Sequence, residues 1–215
     1  MATPSALPDA TPTVFVVDDD AFVREALETM IQAAGWRART FASADAFLAC
    51  PPTTGPNCLV LDVNLPGLSG LDLQTVLAGD RREMPIIFMT GFGDIPMSVQ
   101  AMKAGAAEFL TKPFNEQVML DAISAALDRS TAAVGDQAAI QVLRDRYAAL
   151  SPRERQVMAG VVSGRMNKQV GGDLGITEIT VKKHRGRVMD KMQARSLAEL
   201  VTMSASLGLS ALTRG

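Results

Sequence analysis

An alternation constrains this chain more than any other feature. From residue 13 to about 127, strand-like runs give way to helical stretches five times. The runs are VFVV at 14–17, WRARTF at 36–41, CLVL at 58–61, IIFM at 86–89 and EFL at 108–110. Helix-like segments follow them at 22–34, 44–49, 71–78, 97–104 and 117–127. Strict strand-helix alternation predicts a parallel sheet with helices on both faces, because parallel neighbours need a crossover and the helix supplies it. Four of the runs are nearly all apolar, as strands covered on both faces must be. The expected class is α/β, a flavodoxin-like (βα)5 domain if the first and third strands adjoin in the order 2-1-3-4-5.

The pattern changes after Arg129. STAAVGDQAA is small and polar, and then Ile140, Leu143, Tyr147 and Leu150 recur at helical spacing, which predicts a linker followed by an amphipathic helix ending near Leu150. From Ser151 no strand signal remains. SPRE at 151–154 is a capping box with Pro152 at the first helical position, Thr177 and Ser196 are further N-cap residues, and Gly164 and Gly175 mark turns. The expected organisation is a first domain at 13–129, a linker helix at 130–150 and an all-α four-helix domain at 151–212. No internal repeat is present.

Composition narrows the classes. With 47% hydrophobic and 20% charged residues the 215-residue chain is an ordinary globular protein, neither disordered nor fibrous. No run approaches the roughly 18–20 apolar residues of a membrane span. The opening MATPSALPDATPT lacks the basic and apolar segments of a signal peptide and reads as a floppy leader. Cys50 and Cys58 are too few for a disulfide scaffold, so both are expected as core residues of a cytoplasmic protein. The net charge of -2 is a cancellation: residues 1–130 sum to -8 and residues 131–215 to +6. A basic second half points to a polyanion such as nucleic acid.

In an open parallel sheet, ligands gather at the carboxyl ends of the strands. The first strand ends in Asp18, Asp19 and Asp20, the third in Asp62, the fourth in Thr90, and the fifth in Lys112 followed by Pro113. With strands one and three adjacent, Asp18, Asp19 and Asp62 converge. Three such carboxylates repel by about 3–4 kcal/mol per pair at an effective dielectric near 20, so a cation must sit among them. Lys112 offsets one charge, and the remaining oxygen ligands suit Mg²⁺. A carboxylate needs no neighbouring base to attack phosphorus, so Asp62 is the candidate nucleophile for an acyl phosphate. Lys112 and the Thr90 hydroxyl would stabilise the phosphoryl oxygens.

VFVVDDD, LVLDVNLPGLSGLDL, PIIFMTGFGD and AAEFLTKPF together resemble the receiver domain of bacterial two-component response regulators over about residues 13–128. The resemblance implies Asp62 as phosphoacceptor and a Mg²⁺ held by Asp18, Asp19, Asp62 and the Asn64 backbone carbonyl. It implies Thr90 and Lys112 at the phosphoryl group, Phe109 as aromatic switch and a cis Lys112–Pro113 peptide. A Mg²⁺-dependent phosphatase of the haloacid dehalogenase kind resembles this site too, but carries a second Asp two residues after the nucleophile as general acid and base. Here Asn64 stands there, which favours a switch over a catalyst. Phe92, two residues past Thr90, is expected to hinder the hydrolytic water and lengthen the life of the acyl phosphate.

The segment LSPRERQVMAGVVSGRMNKQVGGDLGITEITVKKHRGRVMDKMQARSLAELV resembles the LuxR-type helix-turn-helix of NarL/FixJ response regulators over about residues 150–207. At about 100° per residue, Val181, Val188 and Met192 share one direction with Met189 beside them, and this stripe faces a core. Lys182, Lys183, Gly186 and Arg187 lie opposite, with Thr180, His184 and Lys191 on the flank. As the only histidine, His184 excludes a His-cluster metal site. Lys182, Lys183 and Arg187 are candidates for major-groove base edges, and Gly186 lets a duplex approach. Thr177, Thr180, His184, Arg185 and Lys191 are candidates for phosphate contacts, with bridging between helices as an alternative for Arg185. Gly171 and Gly172 replace the Ala-Ala common in relatives, and each is expected to cost its helix about 1 kcal/mol.

The two resemblances imply a transcription regulator switched by phosphorylation from a sensor histidine kinase and not an enzyme. They further imply homodimerisation on phosphorylation through the fourth helix, fifth strand and fifth helix, and activation with RNA polymerase as downstream partner. A constitutive DNA-binding protein whose receiver only docks partners is the alternative, with the phosphatase behind it.

Overall fold

The computed structural model describes residues 11–80, 83–91 and 95–209. The chain divides into two compact units, with the boundary in the sequence between Gly135 and Asp136.

In the first unit, β1 (Thr13–Val17), β2 (Arg37–Phe41), β3 (Asn57–Asp62), β4 (Ile86–Thr90) and β5 (Glu108–Thr111) form one parallel sheet in the order β2-β1-β3-β4-β5. The crossovers are α1 (Ala21–Ala33), α2 (Ala44–Leu48), α3 (Gly70–Asp80) and α4 (Ile95–Lys103), and α5 (Glu116–Ala148) follows β5. Successive strand residues point to opposite faces, which explains the unbroken apolar runs. Phe15, Val17, Leu59, Leu61 and Phe88 pack with Phe47 of α2, Leu73 and Leu77 of α3 and Ala101 of α4. Val14, Val16, Val60, Ile87 and Met89 pack on the other face with Leu27 and Ile31 of α1 and Met119, Ile123 and Leu127 of α5. Edge strand β2 is the polar one, and its Arg39 guanidinium lies 5.7 Å from the centroids of the Phe15 and Phe41 rings. Cys50 and Cys58 are buried free thiols, and burial pushes the Cys58 thiol up to about 12.

One expectation is corrected. The segment read as a linker between two helices does not break the chain: α5 runs unbroken through 130–139. STAAVGDQAA contains no proline, only one glycine and four alanines, and this helix-forming content outweighs the polarity that suggested a loop.

The second unit contains α6 (Pro152–Val162), α7 (Asn167–Leu174), α8 (Glu178–Met192) and α9 (Leu197–Ser206). Its apolar centre joins Leu150, Met158, Val188, Met192 and Leu200 with half-buried Tyr147, beside a cluster of Val157, Val161, Val170 and Val181. The capping box of α6 forms as the sequence predicts, Glu154 N–H donating to Ser151 Oγ and Ser151 N–H to Glu154 Oε2. Thr177 and Ser196 cap α8 and α9. Gly175 ends α7 with φ of 64°, in the left-handed region where glycine is unstrained. Among the described residues no helix is long and apolar enough to cross a membrane.

Candidate functional site

All five strands run the same way, so their carboxyl ends share one edge of the sheet, and the acids collect there. Asp18 follows β1 and is fully buried, Asp62 ends β3 and is buried, and Asp19 is exposed. One carboxylate oxygen from each lies within 4.8 Å of the others. Lys112, immediately after β5, places Nζ 2.7 Å from Asp18 Oδ2 and 2.6 Å from Asp62 Oδ2. Its own N–H donates to the Thr90 carbonyl at 2.7 Å, and the Lys112–Pro113 peptide is cis. Burial pushes the Asp18 carboxyl up, and the hydrogen bond from Lys112 pulls back only in part. Burial also works against the Lys112 charge, but its bonds to Asp18 and Asp62 outweigh that and hold the ammonium above its ordinary value. Three carboxylates against one ammonium leave an oxygen-only donor set with excess negative charge, which suits a hard divalent cation.

The remaining predicted residues surround this cluster. Asn64 N–H donates to Asp62 Oδ1 at 2.9 Å, and its side-chain amide reaches the hydroxyl of buried Thr90 at 3.4 Å. Phe109, half-buried on β5, has its ring centroid 6.2 Å from that of Phe88. Phe92 lies outside the described residues.

Three features escaped the sequence reading. Asp20, the third acid of the run, turns away from the others: its carboxylate caps α1 by accepting from Phe22 N–H at 2.8 Å. An acid directly before a helical run is itself an N-cap signal. Arg24, one turn into α1, donates to the carbonyls of Asp18 at 2.7 Å and Asp19 at 2.9 Å, pinning the acidic loop from below. No spacing rule marks it, because the bond runs to backbone. Gly70 opens α3 against the phosphoacceptor candidate itself. A Cβ there would stand 2.5 Å from the Asp62 carbonyl oxygen and 3.0 Å from Val63 Cα.

In the second unit Val181, Val188 and Met192 are buried as the helical wheel requires, while Lys182, Lys183, Gly186 and Arg187 are exposed. The cations differ in freedom. Lys182 Nζ lies 3.6 Å from Glu178, one turn earlier. Lys191 Nζ donates to Glu154 Oε2 at 2.7 Å and to the Ala149 carbonyl at 3.1 Å, tying α8 to the start of α6. That hydrogen bond, with the Ser151 N–H, holds the Glu154 carboxyl down at about 2. Arg185 reaches Asn167 Oδ1 at 3.4 Å, the bridge between helices that its angle allowed. Lys183 and Arg187 make no hydrogen bond or ion pair with other described residues. Thr177 and Thr180 share a hydroxyl–hydroxyl bond of 2.9 Å, and half-buried His184 turns its Nδ1 inward without a partner. The two glycines of α7 also differ: a Cβ at Gly172 meets nothing, whereas one at Gly171 would stand 2.8 Å from the Ile176 carbonyl oxygen.

Residues 14–124 match the family "Response regulator receiver domain", and residues 148–204 match "Bacterial regulatory proteins, luxR family". The chain belongs to the response regulators. The regulator is 51% identical over 198 residues to nodulation protein W of Bradyrhizobium diazoefficiens, covering 92% of this chain and 87% of that one. It is 40% identical to the transcriptional regulatory protein FixJ of the same organism, covering 91% and 96%. The solved structure of response regulator StyR matches with a TM-score of 0.80 at 46% identity, covering 91% of this regulator and 99% of StyR. A receiver joined to a LuxR-type helix-turn-helix makes this a transcription factor of the NarL/FixJ type, and the two families imply a histidine kinase and DNA as partners.

Proposed function

We propose that Asp62 is the phosphoacceptor, that a Mg²⁺ held by Asp18, Asp19, Asp62 and the Asn64 carbonyl assists it, and that the phosphorylated regulator binds DNA through α8. The observation that carries this reading is Lys112 Nζ bridging Asp18 and Asp62 at 2.7 and 2.6 Å beside the third carboxylate. Asp62 attacks the phosphorus of the donor, the bond to the donor's leaving atom breaks, and an aspartyl phosphate results. Lys112 then turns from the Asp62 carboxylate to the phosphoryl oxygens, and the Thr90 hydroxyl donates to another of them. When bound, the metal supplies positive charge against the phosphoryl oxygens. Asn64 takes the place of the acid that a phosphatase would use, and this supports a switch and not an enzyme.

Thr90 and Phe109 are the proposed switch residues. Exposed Val99 and Met102 on α4 and Val118 on α5 supply apolar surface for the homodimer expected on phosphorylation. On DNA, Lys183 and Arg187 are the free cations for base edges, with Lys182 shared with Glu178. Gly186 permits close approach, and Thr177, Thr180, His184 and Arg185 flank the groove at the phosphates. Lys191 serves first as a tie between helices. The regulator works in the cytoplasm and activates transcription with RNA polymerase downstream.

The test compares wild type with Asp62→Asn. Both are treated with acetyl phosphate and Mg²⁺, intact mass is read for one phosphoryl group, and bound genomic fragments are selected. Modification and enrichment confined to wild type support the reading. Phosphorylation of the Asn variant would refute Asp62 as acceptor, and identical enrichment would favour a constitutive DNA-binding protein whose receiver only docks.

A further inference from the structure

We propose that Ile179 reads the 5-methyl group of a thymine in each half-site, a role that rests on α8 being the DNA-reading helix. Ile179 is the second residue of α8 and is 80% exposed. Among the large hydrophobic residues described, only Phe22, in the first unit, is more exposed, at 82%. A lone exposed apolar side chain is ordinary on a protein surface, and what distinguishes this one is its position.

The core stripe of Val181, Val188 and Met192 fixes which way α8 faces. At about 100° per residue Ile179 lies roughly 160° from Val181, almost diametrically opposite the core and between the directions of Gly186 and Lys183. Its face is therefore the one turned to the duplex in the DNA-bound regulator. The first residues of a recognition helix are those that meet base edges in the major groove, and Ile179 is one of them. Gly186 lies on the same face two turns later, and nothing stands within 4 Å of where its Cβ would be. No side chain at 186 props the helix away from the bases, and the helix can settle until Ile179 touches the groove floor.

The chemistry of the side chain then limits what it reads. Isoleucine has no donor or acceptor and is blind to the hydrogen-bonding pattern of the groove. Among the four bases the thymine methyl is the apolar group displayed there. Its neighbours are suited to other tasks. Thr177 and Thr180, hydrogen-bonded to each other at 2.9 Å, lie toward the phosphate flank, and Glu178 holds Lys182 at 3.6 Å. Lys183 supplies charge beside the isoleucine without competing for the methyl.

The test uses the full chain under phosphorylating conditions. A site is selected from synthetic random duplexes, and each thymine of that site is then replaced by deoxyuridine, which removes the methyl and nothing else. Wild type is expected to weaken about fourfold at one thymine per half-site, the worth of one buried methyl-sized group. Ile179→Ala, which improves helix propensity and keeps the fold, should bind the same site more weakly and lose that sensitivity. Wild type indifferent to deoxyuridine at every thymine, or a selected site without thymine, would overturn the inference while leaving α8 as reader. An Ala variant with undiminished sensitivity would also overturn it, assigning the methyl to another side chain. Failure to select any sequence would refute the DNA-reading role of α8, and this inference with it.

Discussion

Replacing Gly70 by alanine should damage the proposed phosphorylation site without altering any of its polar side chains. The new Cβ would lie 2.5 Å from the Asp62 carbonyl oxygen and 3.0 Å from Val63 Cα. That is about 1 Å inside ordinary van der Waals contact, and both opposing atoms are backbone, with no side chain able to swing aside. Asp62 sits in the sheet through the pairing of β3 with β1 and β4, so the strain must move either α3 or the strand end. Overpacking of this kind costs about 1–3 kcal/mol, which at about 4 °C per kcal/mol lowers the midpoint of a receiver-sized unit by roughly 4–12 °C. A displacement approaching 1 Å at Asp62 also breaks alignment with Lys112, now 2.6 Å away, and should slow phosphotransfer up to about 100-fold. Gly79, in the last turn of the same helix, is the control: a Cβ there meets nothing, so alanine should leave phosphorylation unchanged and add a few tenths of a kcal/mol, up to about 1. Thermal melting and the rate of acetyl-phosphate labelling of the intact chain read both effects. If Gly70→Ala melts and labels like wild type, close approach of α3 to Asp62 is not what requires glycine there.

Three further outcomes follow from the second unit. The Glu154 carboxyl is held at about 2 against an ordinary 4.5, so its contribution to stability is full above the ordinary value and drains as pH falls toward the folded one. Glu154→Gln should therefore melt below wild type at about pH 7, with the difference shrinking toward about pH 3; a pH-independent difference would refute the Lys191 tie. Gly172→Ala should gain up to about 1 kcal/mol and Gly171→Ala clearly less, because only the second pushes against the Ile176 carbonyl at 2.8 Å. Calorimetry giving equal gains would show that the turn yields freely. Lys183→Ala and Arg187→Ala should each weaken DNA binding, and a variant that removes a phosphate contact should also flatten the logarithmic salt dependence by about 1. Titrations at several salt concentrations would show it, and unchanged affinity in both variants would exclude this face from the interface.

Periodicity and local chemistry were enough to write down the five alternations, the two-sided burial of the strands, the capping box at Ser151 and the core stripe of α8, because each depends on neighbours a few residues apart. The strand-end residues were legible for the same reason, whereas the adjacency of the first and third strands in the order 2-1-3-4-5 was an assumption that only the sheet could settle. Whether carboxylates that are distant in sequence converge is a property of the sheet. Asp18 and Asp62 meet across the adjacent strands β1 and β3, Lys112 arrives from the far edge, and Asp20, identical in type and adjacent in sequence, is taken by a helix cap instead. Counting charges likewise located a basic half, but packing determined which cations are free: Lys191 is engaged with Glu154 and Ala149, while Lys183 and Arg187 remain available. Polarity suggested a break near 130 that helix propensity closed. The approach of Gly70 to Asp62 had no local signature at all, and Ile179, although opposite the core stripe of α8 on the helical wheel, is of a residue type that composition alone would bury. Close approach and exposure are set by what the rest of the chain places nearby, and a linear pattern records only the residue, not its surroundings.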